Sequence, residues 1–110
     1  MNDSEREFLY VLGYFFLQNN KNRKAADIFR ALHALYPDTA AYTGALSYAC
    51  LRMDDFAGAL EYAEDFLDHP LDSSHQEFGF FLKSRALWGL GKEDEARKTF
   101  QRFYQGRAPS

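Results

Sequence analysis

The chain has 110 residues, of which 46% are hydrophobic and 17% aromatic, and it carries a formal net charge of −3. That length gives one domain with room for a modest core, and an acidic balance, whose basic stretch Lys21, Arg23 and Lys24 reads as a helix start, argues against a nucleic-acid surface. The single cysteine, Cys50, excludes an intrachain disulfide and a cysteine-based metal centre, and fits a reducing compartment.

Six helices are predicted in chain order. The first covers about 3–18. Asn2, Asp3 or Ser4 can cap it, and Glu5 and Glu7 suit the positive end of its dipole. Its longest apolar run, 8–17, is broken by Gly13 and is too short for a bilayer. The polar, acidic residues ahead of that run do not read as a secretory signal. A soluble, cytoplasmic protein without membrane insertion is therefore expected.

Asn19 and Asn20 end the first helix. The second covers about 23–35, with Ala25, Ala26, Phe29, Leu32 and Leu35 at helical spacing, and Pro37 stops it. The third covers about 39–52 behind a cap at Asp38 or Thr39. Asp54 and Asp55 sit at the turn and open the fourth, which runs to about 68 before His69 and Pro70. The fifth covers about 74–89, Gly91 marks a turn, and the sixth covers about 93–105, leaving 106–110 as a frayed tail.

These helices repeat in pairs. Leu12-Gly13, Ala25, Phe29 and Pro37 return as Leu46-Ser47, Ala59, Ala63 and Pro70, and again as Lys83-Ser84, Ala96 and Phe100. Ala25 and Ala59 are 34 positions apart, and Ala59 and Ala96 are 37 apart. A period near 34 built from paired helices is the tetratricopeptide (TPR) signature. The expected fold is all-α: one domain, 1–110, of three TPR hairpins (about 6–39, 40–73 and 77–105) in a short superhelix. Gly13, Ala25, Ser47, Ala59, Ser84 and Ala96 are small where helix backbones must approach. The sequence given stops soon after Phe103 and Tyr104, so the apolar stripe of the sixth helix is expected to be covered by a partner, covered by a second copy in a homodimer, or left exposed.

In such an array the first helix of each pair lines a concave groove. Counting from Arg6, Ala40 and Glu77, the groove positions are Glu7, Tyr10, Tyr14 and Leu17; Ala41, Gly44, Tyr48 and Leu51; and Phe78, Phe81, Arg85 and Trp88. Core positions of the same helices are already filled by Leu9, Leu12, Phe16, Leu46, Cys50, Phe80 and Leu87. A second aromatic stripe therefore predicts an apolar groove for an amphipathic helix or an extended peptide. The expected partner-binding residues are Tyr10, Tyr14, Leu17, Tyr48, Leu51, Phe78, Phe81, Arg85 and Trp88. A clamp for a C-terminal carboxylate is not expected, because Tyr10, Tyr14, Ala45, Phe78 and Leu82 occupy the positions where Lys, Asn and Arg would be needed, leaving Arg85 as the groove cation.

Enzyme chemistry finds no support. His33, His69 and His75 lie in different segments, and a metal shared by His69 and His75 with Asp68 or Asp72 would lack a further His or Cys ligand. No metal and no cofactor is expected. Cys50 has no nearby His and reads as a small buried hydrophobe. There is neither a phosphate-binding glycine loop nor a nucleophile elbow.

Glu7-Phe8-Leu9 leading into Leu12-Gly13-Tyr14, then Ala31 to Leu35 before Pro37, and Ser84-Arg85-Ala86 followed by Gly91, Asp94 to Arg97 and Phe100-Gln101, carry a family resemblance. Over nearly its whole length the chain resembles the small three-TPR chaperones of bacterial type III secretion, most of all the YscY type. The middle repeat follows only the general helix pattern. The resemblance implies a bacterial cytoplasmic chaperone that keeps a small secreted helical protein, a YscX-type export component, soluble before export. Co-chaperones of needle subunits form a sibling class, and a self-assembling TPR scaffold is the alternative from another class.

Overall fold

A computed structural model of the chain describes residues 1–107. Six helices follow one another: α1 Asp3–Gln18, α2 Asn22–Leu35, α3 Ala40–Arg52, α4 Phe56–Leu67, α5 Ser73–Gly89 and α6 Glu93–Arg107. There is no strand among the described residues. The helices stack as three antiparallel hairpins, each packed against the next, so the predicted TPR-like all-α architecture holds. The sixth helix continues through 106 and 107 rather than fraying after 105, and residues 108–110 of the expected tail lie outside the described residues.

Local chemistry accounts for the helix ends. The Asn2 side chain accepts from the Glu5 backbone N–H at 2.8 Å, and Asp72 accepts from the His75 N–H at 2.8 Å. Each satisfies one donor that a helix start leaves unpaired. The turns inside the three hairpins are copies of one another. Asn20, Asp54 and Gly91 all adopt positive φ, at 60°, 58° and 79°. The next residue's N–H then reaches back five residues: Lys21 to Phe16 O at 2.8 Å, Asp55 to Cys50 O at 2.9 Å, and Lys92 to Leu87 O at 2.9 Å. This left-handed closing turn satisfies the last helical carbonyls, and Gly, Asn and Asp are the residues that tolerate it best. Asp54 is thus a turn residue rather than a helix start. Asp55 alone caps α4, accepting from Gly58 N–H at 3.1 Å.

The core runs through the middle of the row. Helix α3 is flanked by hairpins on both sides, and Tyr42, Thr43, Gly44, Ala45, Leu46, Ser47, Ala49 and Cys50 are all buried. Helix α1 is different: only Gly13 and Leu17 are buried. The small residues act as spacers. A Cβ on Gly13 would stand 2.5 Å from the Phe29 ring, and the buried Ser47 hydroxyl donates to Ala59 O at 2.8 Å across α3 and α4. Ala25, Ala59 and Ala96 are buried at the same register.

Cys50 makes the core sensitive to alkali. Burial, aided by the negative charge of Asp55, pushes its thiol up from 9.0 to about 11. The folded state therefore keeps a proton that the unfolded chain loses at lower pH. Stability contributed this way is complete below about pH 9 and falls as pH rises towards about 11. Tyr14, raised by burial and its bond to Tyr10, adds in the same direction at still higher pH. Denaturant midpoints measured from pH 7 to 11 should fall above pH 9, and Cys50→Ala should flatten the decline between 9 and 11. An unchanged slope in that variant would remove Cys50 from the account.

Candidate binding groove

The first helices of the hairpins, α1, α3 and α5, lie side by side and enclose a depression of ≈ 320 Å³. Tyr10 and Tyr14 form one wall. They meet edge to face at 5.1 Å, and both stand edge-on to the buried Phe29 ring, at 6.0 and 5.2 Å. Phe78 of α5 forms the other wall, edge-on to Phe66 at 6.0 Å and tilted against Tyr48 at 6.4 Å. Gly44 is the floor between them. A Cβ there would stand 2.9 Å from the Phe66 ring, so the missing side chain is what lets that ring pack into the floor.

Charged side chains tie neighbouring hairpins together beside the groove. The Arg6 guanidinium lies 3.6 Å from the Tyr36 ring centroid and donates to Thr39 Oγ1 at 3.4 Å. At the opposite end Arg52 donates to Asn20 Oδ1 at 2.8 Å and to Leu17 O at 3.3 Å. On the α5 side Asp72 accepts from both the backbone N–H and the ring of His75, and those bonds hold its carboxyl below the usual range. Arg6 and Arg52 were missed by sequence reasoning. Neither occupies a groove position in the repeat count; each instead bridges hairpins one and two through the length of its side chain.

The predicted binding residues divide into three groups. Tyr10, Tyr14 and Phe78 line the depression, and Tyr48 joins through its ring contact with Phe78. Leu17 is buried and Leu51 is half-buried against the core, which corrects the expectation that they face the groove. Phe81 turns towards α6, its ring 6.1 Å from Phe103. Arg85 and Trp88 line a separate cavity of ≈ 320 Å³ at the far end, with Ser84, Ala96, Arg97 and Phe100. The physical reason is one of register. Leu17, Leu51 and Trp88 are equivalent by the 34- and 37-residue spacing. That position faces the following hairpin, so it is covered in the first two hairpins and open in the third.

The tyrosines are also more structural than the sequence suggested. Tyr10 and Tyr14 pack on the core through Phe29, so the groove wall and the interhelix core share residues. The exposed apolar stripe of α1 is instead Phe8, Val11 and Phe15. His69 and His75 stay apart: His75 engages Asp72, whereas His69 joins His33 at Asp65, with His69 Nδ1 2.9 Å from the Asp65 backbone O and His33 Nε2 3.7 Å from its carboxylate. Among the described residues no group of three or more His, Cys, Asp or Glu is placed to hold a metal ion.

Residues 2–104, all three hairpins, match the family described as YfiO, outer membrane lipoprotein. The chain belongs to the YfiO family. The YfiO match and the type III chaperone resemblance share a TPR-like helical domain, whose commonest use is as a protein-interaction scaffold. In this YfiO-family chain, no helix among the described residues is long and apolar enough to cross a membrane. No curated protein matches the chain.

Proposed function

We propose that the chain is a non-enzymatic, protein-binding module whose groove holds one apolar segment of a partner protein. The observation that carries this reading is the run of rings from three hairpins, Tyr10, Tyr14, Phe78 and Tyr48, around a floor of Gly44 and Phe66. Aromatic anchors dominate interface energies because they bury large area at little entropic cost. A segment laid along the groove meets rings from all three hairpins. In its finer form the reading is a bacterial cytoplasmic chaperone that keeps a small secreted export component soluble; that form rests on the sequence resemblance. YfiO membership supports the broader scaffold class.

A photocrosslinking amino acid at Phe78, in the full chain expressed in its own cell, tests the groove directly. The expected result is a discrete crosslinked protein, with none from the same group at Ala34, an exposed position on α2. Phe78→Ala should weaken binding of the captured protein by about 1–4 kcal/mol. Equal crosslinking from both positions, or capture from Trp88 and none from Phe78, would overturn the groove.

A further inference from the structure

The two ends of the row carry the two halves of its internal interface. At the head, Phe8, Val11 and Phe15 of α1 are 65%, 60% and 53% exposed. By the repeat spacing they are equivalent to Tyr42, Ala45 and Ala49 of α3 and to Gly79, Leu82 and Ala86 of α5. Those six residues are all buried. At the tail, Trp88, Phe100 and Tyr104 are 52%, 47% and 65% exposed. Trp88 and Phe100 are equivalent to Leu17 and Phe29 in the first hairpin, which share one core with Tyr42, Ala45 and Ala49.

We infer that the head of one copy docks on the tail of another, continuing the hairpin row across molecules. Charge agrees with this register. Where hairpins two and three meet, Tyr48 pairs with Phe78 at 6.4 Å. The equivalent of Tyr48 on the tail is Arg85, and the equivalent of Phe78 on the head is Glu7. Continuing the row therefore sets an Arg beside a Glu. The tail cavity lined by Arg85, Trp88 and Phe100, ≈ 320 Å³, leaves room for the bulkier head side chains. One contact opposes the fit: the part-buried Arg6–Thr39 pair becomes Glu77 against Glu5, a like-charge pair that weakens the contact.

Because the two surfaces differ, the contact is heterologous, and each added copy presents a fresh head or tail. This goes beyond the groove, which stays open along the row, and does not depend on what the groove holds. Sedimentation of the full chain should show a mass that rises with concentration past the dimer. Phe15→Glu blocks the head and Phe100→Glu blocks the tail; both sites are exposed, so circular dichroism should show intact helices. Each variant alone should be monomeric, and their mixture should form a dimer that grows no further. Arg85→Glu should weaken association roughly tenfold, and mixing it with Glu7→Arg should restore it. A monomer at every concentration overturns the inference. So does a dimer that survives the head variant, which would be a tail-to-tail contact, and so does a tail occupied by a different protein.

Discussion

Phe29→Ala should cost about 3–5 kcal/mol of folding free energy, the range for emptying a well-packed core site of an aromatic ring. Phe29 is fully buried, supports Tyr10 and Tyr14 edge-on, and sits where any side chain on Gly13 would go. Removing it leaves a cavity beneath one wall of the groove. The loss is a large part of the total for a domain whose folding free energy is about 5–15 kcal/mol. Denaturant unfolding of the variant at neutral pH measures it directly. A loss under about 1 kcal/mol would mean that α1 settles onto α2 without strain, and that Tyr10 and Tyr14 do not rely on Phe29.

The second large effect comes from adding atoms. Ala59 is buried between α3 and α4, and its carbonyl accepts the Ser47 hydroxyl at 2.8 Å. Ala59→Leu should push these helices apart at about 1–3 kcal/mol. Separation also strands the buried Ser47 hydroxyl, at about a further 1–3 kcal/mol. Ala34→Leu adds the same atoms at an exposed position of α2 and should change stability by less than about 0.5 kcal/mol. If the two variants lose equally, the spacer role of the small residues is wrong. If Ala59→Leu alone falls, the interhelix distance is set by this alanine, and with it the angle between hairpins that shapes the groove.

The sequence itself determined the helices, their order and their turns, because the chemistry responsible acts over a few residues. Asn2 finds its donor three residues on, and the turns at Asn20, Asp54 and Gly91 are closed by bonds that reach back five residues. The recurrence of Ala25, Ala59 and Ala96 was legible for the same reason: one spacing repeats one local steric need. Only the tertiary structure decided which apolar residues are core and which are surface. Leu17 and Trp88 hold the same place in their hairpins, yet one is buried and the other half exposed. Burial there is a property of the neighbour, not of the residue, since the next hairpin either covers the position or leaves it open. Likewise Tyr10 and Tyr14 count as groove residues by position, but the Phe29 ring standing under them, set by how α1 crosses α2, makes them part of the core as well.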